Sequence, residues 1–226
     1  MKKNLIPAIA LLLFASCNND PKPEAPKTGE KETPKTETTA AVNPNVTDWM
    51  SWEGGIDVAG VTDKNYKMPN VIFHVANIVN TPVGKAPSGM ILYRPDTLQP
   101  PLVMGFVSTN KTVGDYFGPK IFAGTPFEKA PTVMGTFDIK YDDKGATAKV
   151  VAGGHTFECT MSDLGKPYLI NRAMGSPMPF YQQGVERTSG KSVLKVDGKE
   201  VNLTMPPVGL SGGPGAVVSV NGVYAR

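Results

Sequence analysis

The segment KVVAGGHTFEC, residues 149–159, constrains the fold more than any other part of the chain because it encodes a complete β-hairpin. A two-residue glycine turn allows the positive φ angles that tight hairpins require, so Gly153-Gly154 predicts the turn. Pairing outward from this turn sets Val150 opposite Phe157 on an apolar face and Lys149 opposite Glu158 on a polar face. A half-buried antiparallel strand pair has this pattern.

Turn pairs and β-rich runs recur along the rest of residues 45–226. Asp197-Gly198 predicts a second hairpin, and Asn221-Gly222 predicts a third between AVVSV and VYAR. In the second hairpin, Lys195 faces Glu200. Further strands are predicted where β-branched and aromatic residues lie between glycine and proline turns, in residues 71–79, 89–93, 101–107 and 137–141.

This spacing of short strands predicts the fold class. No segment shows a clear 3.6-residue period, so helix should be scarce. We therefore predict an all-β fold, an antiparallel sandwich or barrel built of hairpins and meanders. Residues 45–226 are long enough for one substantial core, and a single β-domain is the simplest division of them.

The N-terminus has the layout of a secretory signal. Residues 1–16 combine two lysines, an apolar run and small residues ahead of Cys17. The ending FASC resembles the lipobox of bacterial lipoproteins, which implies cleavage before Cys17 and acylation of that cysteine. Two or three acyl chains hold a protein stably on a membrane. The resemblance predicts an outer-membrane lipoprotein of the bacterial cell envelope, on the periplasmic or the exposed face.

Residues 17–44 predict a tether. After Cys17 they are rich in Pro, Lys, Glu and Thr and almost free of large apolar side chains. Such a segment cannot bury enough surface to offset its ordering entropy, so we expect a disordered linker between lipid and domain.

Charge and cysteine content exclude several classes of function. The net charge is +3 with no concentrated basic run, so nucleic acid is not an expected partner. Once Cys17 is acylated, Cys159 is the remaining cysteine, which excludes an intrachain disulfide and a multi-cysteine metal site. His155 and Cys159 lie about 13 Å apart if both are on one strand, too far to share an ion. The sequence indicates no metal and no cofactor.

The segment GLSGGP, residues 209–214, contains the one serine in a nucleophile-like motif. It resembles the nucleophile segment of chymotrypsin-like serine proteases, which implies Ser211 as the reactive residue. A hydrolytic serine also needs a histidine and a carboxylate. The least unsuitable partners are His74 with Asp115 or Asp138. Neither His74 nor His155 lies in a segment like that of the family. Two glycines and a proline before a strand are also typical of a tight loop, and we favour this interpretation.

Aromatic and methionine side chains give the candidate ligand-binding residues. Trp49 and Trp52 lie in DWMSWEGG, which resembles the opening strand of copper-homeostasis-type envelope lipoproteins with small β-barrels. Met178, Phe180 and Tyr181 lie in MGSPMPFYQQG, residues 174–184, where a proline-bent loop could form an adaptable apolar surface. The tryptophans could instead plug an end of the core. The loop could instead fold over the sheet core, and we favour this interpretation of it.

These observations favour a membrane-anchored, non-enzymatic lipoprotein whose β-domain binds a ligand or partner. An envelope protein, a glycan and a small apolar ligand all fit, and the membrane is contacted through the N-terminal lipid. Two alternatives remain open: a serine hydrolase that uses Ser211, and a structural component of the envelope.

Overall fold

The computed structural model describes residues 47–174, 179–207 and 213–226. Cys17, the signal segment and the linker lie outside these residues. The strands are β1 (Trp49–Gly60), β2 (Val71–Thr81), β3 (Gly84–Tyr93), β4 (Val103–Ser108), β5 (Thr132–Tyr141), β6 (Gly145–Ala152), β7 (His155–Leu164), β8 (Tyr168–Arg172), β9 (Tyr181–Val196), β10 (Lys199–Glu200) and β11 (Ala216–Ala225). One helix, α1 (Lys111–Tyr116), continues into a π-helical turn, Phe117–Ile121.

The strands form one sheet that curves into a ring. Its order is β10-β9-β11-β1-β2-β3-β4-β5-β6-β7, and β7 pairs back onto β9. The long strand β9 makes this closure possible, because residues 181–188 pair with β11 and residues 189–196 pair with β7. The all-β prediction is therefore confirmed, and helix is scarce in the described residues.

One strand pair departs from the predicted antiparallel arrangement. β4 and β5 pair in parallel through Phe106 with Thr132 and Ser108 with Met134. A parallel pair needs a crossover of a dozen or more residues. Residues 109–131 provide it and contain α1, whose first turn is capped by the Asn110 side chain.

The register predicted for two hairpins is confirmed. Val150 pairs with Phe157 and Lys149 pairs with Glu158 around Gly153-Gly154. Gly153 and Gly154 have φ angles of 58° and 82°, as a glycine turn requires. At Asp197-Gly198 the predicted pairing of Lys195 with Glu200 is also present.

The hairpin predicted at Asn221-Gly222 is wrong. β11 runs through both residues as one strand, which pairs with β1 on one side and β9 on the other. Gly222 does not have a positive φ. It lies opposite Trp52, and a Cβ atom at Gly222 would overlap the Trp52 ring, so the glycine permits close packing rather than a turn.

Two apolar clusters stabilise the sheet. The first draws on strands from all around the ring and lies inside it, where Phe73, Phe157 and Ile56 are fully buried. The second lies on the opposite face of β1–β4 and β11. There the helical crossover and Phe180 cover the sheet, and Phe106 and Phe122 pack with centroids 5.1 Å apart. The candidate site lies in this second cluster.

None of the helices in the described ranges has the length and apolar character needed to cross a bilayer.

Candidate functional site

A recess on the covered face of the sheet combines an apolar wall with polar side chains. The strand order places β2, β1, β11 and β9 side by side. His74, Asp57, Tyr224 and Glu186 come from these four strands in turn. The sheet thus brings together residues that are far apart in the sequence.

His74 and Asp57 are direct cross-strand neighbours and form a hydrogen-bonded pair. The register sets Asp57 opposite His74, and His74 Nδ1 contacts Asp57 Oδ1. The two side chains are 32% and 22% exposed, so the pair lies at the edge of the buried layer. Burial lowers the pKa of His74, but the charge of Asp57, its hydrogen bond and the charge of Glu186 together outweigh burial, so that the pKa is raised.

Glu186 is a buried carboxylate that forms an ion pair with Arg172. Its side chain is 2% exposed and accepts hydrogen bonds from Arg172 Nη1 at 3.1 Å and Nη2 at 2.9 Å. The Tyr168 hydroxyl donates to Glu186 Oε2 at 3.0 Å. Burial, followed by the charge of Glu186, raises the pKa of Tyr168 to about 12, so this hydroxyl remains a donor. A bidentate arginine and a hydroxyl compensate the cost of burying the carboxylate.

A further hydrogen-bond chain connects this ion pair to Tyr224. Arg172 Nη1 donates to Gln182 Oε1 at 2.7 Å, and Gln182 Nε2 donates to the Tyr224 hydroxyl at 3.3 Å. The Tyr224 and His74 rings are stacked, with centroids 6.4 Å apart. Burial, with the charges of Asp57 and Glu186, holds the pKa of Tyr224 well above its usual value.

The apolar wall of the recess comes from β1, β3, β4 and the helical crossover. Trp52, Met90, Phe106, Phe117 and Phe122 line it together with Asp57, His74 and Tyr224. The cavity volume is about 20 Å³, counted for the centres of water-sized spheres. About one water-sized group fills such a space. Small ligand sites commonly combine an apolar wall with a few converging polar groups.

The structure places the predicted ligand-binding residues in different positions. Trp52 lines the recess, and its indole Nε1 donates to Ser219 Oγ at 2.9 Å. Phe180 is buried beside Tyr224, with ring centroids 4.3 Å apart, so this residue packs within the second apolar cluster.

The other candidate residues do not line this recess. Trp49 is 39% exposed at the start of β1, and Tyr181 is half-buried at the start of β9. Met178 and Ser211 lie outside the described residues.

The carboxylates suggested for a hydrolase lie elsewhere in the structure. Asp115 binds Lys111 and Asp138 binds Lys140, whereas the partner of His74 is Asp57. Sequence reasoning did not identify Asp57. The position of this aspartate between the apolar residues Ile56 and Val58 of β1 could have marked it as a candidate site residue.

The second histidine and the cysteine are separate from the recess. His155 Nδ1 lies 2.7 Å from Asp197 Oδ2 at the hairpin turn. Cys159 is buried inside the ring, where burial raises the pKa of its thiol to about 12. Within residues 47–174, 179–207 and 213–226, no group of three or more His, Cys, Asp or Glu side chains is arranged to hold a metal ion.

Comparisons with known proteins find no matching protein family and no matching curated protein. Two solved structures of acetoacetate decarboxylases are weakly similar. One is 9% identical, with a TM-score of 0.34 over 78% of this chain and 84% of that chain. The other, from Legionella pneumophila subsp. pneumophila str. Philadelphia 1, is 10% identical, with a TM-score of 0.30 over 84% and 89%. Similarity at this level carries no argument about chemistry.

Proposed function

We propose that the protein is a membrane-anchored envelope lipoprotein whose β-domain binds a small ligand without transforming it. The recess beside His74 and Asp57 is the proposed binding site, because the apolar wall meets polar atoms there that have capacity to bind. Every buried side-chain nitrogen and oxygen in the described residues has a hydrogen-bond partner. His74 Nε2 and Asp57 Oδ2 have none among those residues, and the two side chains are 32% and 22% exposed.

The anchor is the second part of the proposal and rests on the lipobox at Cys17. Growth of producing cells with radiolabelled palmitate should label the wild-type protein and leave Cys17→Ala unlabelled. The matched variant Cys159→Ala should keep the label, because Cys159 is buried inside the ring. An unlabelled wild-type protein would contradict acylation at Cys17.

A thermal-shift screen of the full-length protein tests ligand binding. The panel contains small neutral molecules, fatty acids, glycans and peptidoglycan fragments. A ligand present at 100 times its dissociation constant should add about 2.7 kcal/mol to the free energy of unfolding. The shift should be lost in His74→Gln and kept in His155→Gln, which alters the other histidine–carboxylate pair. No saturable shift across the panel, or equal shifts in both variants, would contradict binding at this recess.

The His74–Asp57 pair also favours a second candidate, an enzyme that uses acid–base chemistry. A histidine oriented by a carboxylate is two thirds of a hydrolytic triad. We prefer binding because no serine or cysteine of the described residues donates a hydrogen bond to His74. A fluorophosphonate probe separates the two proposals: labelling that disappears in Ser211→Ala would establish the hydrolase, and an unlabelled folded protein would remove it.

A further inference from the structure

We propose that a second site, on the opposite face of the sheet from the recess, binds an extended neutral glycan chain. The site is a row of polar side chains that crosses five neighbouring strands, with the Tyr141 ring beside it. This inference goes beyond the proposed function, because it concerns other residues and another face of the sheet.

Strand register aligns the polar row. The strands β8, β9, β11, β1 and β2 are neighbours in that order. Each contributes one residue that pairs with the next, and the row consists of Asn171, Gln183, Val223, Ser51 and Asn80. Neighbouring strands lie about 4.8 Å apart, so the row is about 19 Å long. Asn221 and Glu53 form a second pair beside it. A row of this length fits an elongated ligand that crosses the strands.

Alternation of side chains places the row on the face away from the recess. Successive side chains of a strand point to opposite faces of the sheet. Trp52 and Tyr224 are buried in the second apolar cluster, so their neighbours Ser51 and Val223 point to the other face. The same alternation places the remaining members of the row on that face: Asn80, Asn171 and Gln183.

An open cavity lies along the row. Its volume is about 440 Å³, counted for the centres of water-sized spheres. Ligand sites in proteins commonly measure about 300–1,000 Å³. The polar residues that line it are Ser51, Glu53, Tyr141, Gln183 and Asn221. The cavity therefore has room for a ligand in contact with the row.

Tyr141 supplies an aromatic wall. It is the last residue of β5, and its side chain is 47% exposed. A Cβ atom at Gly54 would lie 2.7 Å from Tyr141 Cε1, so the glycine lets the ring approach the backbone of β1 closely. The exposed part of a tyrosine ring combines an apolar face with a polar tip. The apolar C–H face of a sugar ring can pack against such a surface.

Hydrogen bonds within the row leave donors and acceptors for a ligand. Gln183 Nε2 donates to Asn171 Oδ1 at 3.3 Å, and Asn80 Nδ2 donates to Ser51 Oγ at 3.4 Å. Asn171 Nδ2 and the Ser51 hydroxyl can therefore still donate, and Gln183 Oε1 and Asn80 Oδ1 can still accept. Along the row, donors and acceptors alternate. Sugar hydroxyls both donate and accept, so a glycan can bond to each of these groups.

Charge and backbone pairing favour a neutral glycan over other polymers. Glu53 is the one charged residue among those that line the cavity, so an anionic chain would be repelled. Peptides commonly bind sheets by adding a strand to an edge, where backbone groups are unpaired. The row lies on a sheet face, where those groups are already paired with neighbouring strands.

Calorimetric titration of the full-length protein with hexasaccharides tests the inference. The neutral probes are hexasaccharides of β-1,3-glucose, α-1,4-glucose, β-1,4-mannose and β-1,4-N-acetylglucosamine. At least one should bind about 10-fold or more tightly than its own disaccharide, because only the longer chain can contact all five strands. The comparison probes are the hexasaccharide of galacturonate, which is anionic, and the peptide Ser-Gly-Ser-Gly-Ser-Gly. Both should bind more weakly than the best neutral hexasaccharide.

Variants assign the glycan to the row. Gln183→Ala removes one bonding group, and Tyr141→Ala removes the aromatic wall. Each should lower the affinity for the best hexasaccharide about 2- to 10-fold. Tyr141→Phe keeps the ring and should retain most of the affinity. Gln99→Ala, which alters an exposed glutamine in the loop between β3 and β4, is the matched control and should leave the affinity unchanged. Circular dichroism checks that each variant is folded.

Four results would overturn the inference. They are no binding of any neutral hexasaccharide, tighter binding of the peptide, tighter binding of the galacturonate chain, and equal affinity of wild type, Gln183→Ala and Tyr141→Ala. Loss of glycan binding in His74→Gln without loss in Gln183→Ala would also overturn it, and would support the recess as the ligand site. The first four leave the proposed function in place, because binding at the recess is measured by the response of His74→Gln.

Discussion

Asp57 on β1 lies directly opposite His74 on β2, and the carboxylate contacts the Nδ1 atom of the ring. The pair places an imidazole beside a carboxylate at the edge of an apolar recess. Its electrostatic consequence can be measured directly. Asp57→Asn should lower the pKa of His74, because burial then acts against a weaker opposing charge.

An NMR titration of the two histidine rings measures this change. Asp197→Asn, which removes the carboxylate beside His155, is the matched control and should leave the His74 titration unchanged. A His74 pKa that is unaltered in Asp57→Asn would show that the contact does not set the protonation of the ring.

The raised pKa of His74 also predicts a pH dependence of stability. A group whose pKa is higher in the folded state stabilises that state fully below its unfolded pKa, about 6.5 for histidine. The contribution is lost as pH rises through the folded-state pKa. Chemical denaturation between about pH 6 and about pH 9 should therefore show a larger loss of stability in wild type than in His74→Gln. Parallel curves for the two proteins would contradict the prediction.

Removal of one partner of the buried ion pair should be strongly destabilising. Arg172→Met leaves the nearly inaccessible carboxylate of Glu186 without its cation, at a cost of about 3 kcal/mol in the free energy of unfolding. The double variant Arg172→Met/Glu186→Leu should lose less than the sum of the single losses.

Lys149→Met provides the control for this prediction. Its partner Glu158 is 42% exposed, and surface pairs contribute at most about 1 kcal/mol. Both losses are measured by urea denaturation. Equal losses in Lys149→Met and Arg172→Met would show that Glu186 depends on its cation no more than an exposed carboxylate does.

Gly222 should be intolerant of any side chain because it faces the Trp52 ring. Gly222→Ala should lower the free energy of unfolding by about 1–3 kcal/mol through overpacking and should change the near-UV signal of tryptophan. Asn221→Ala, at the neighbouring exposed position, should change stability by no more than about 0.5 kcal/mol. A neutral Gly222→Ala would contradict the close packing of β11 on Trp52.

Local features explain why much of the fold was predictable. The register around Gly153-Gly154 follows from residues adjacent in the sequence, since turn chemistry and alternation of apolar side chains act over a few positions. Asn221-Gly222 has the same local signal as a turn. Its glycine instead serves the approach of Trp52 from a strand that begins far earlier in the chain, so local reasoning gave the wrong answer.

The candidate site depends on longer-range pairing. Asp57 and His74 meet because β1 and β2 pair in one register across residues 61–70, and nothing in either strand alone specifies that partner. Glu186 meets Arg172 through the pairing of β8 with β9. Trp52 was identified from its aromatic character, while its polar neighbours required the strand order of the ring.

Ligand binding at the recess is most directly tested by following both histidine rings during a titration. The chain has two histidines, each beside a carboxylate, and His74 lines the recess whereas His155 lies at a hairpin turn. A saturating concentration of a ligand found in the thermal-shift panel should move the His74 signals along a binding curve and leave those of His155 unchanged. Equal movement of both rings, or movement of His155 alone, would contradict a binding site at the His74–Asp57 recess.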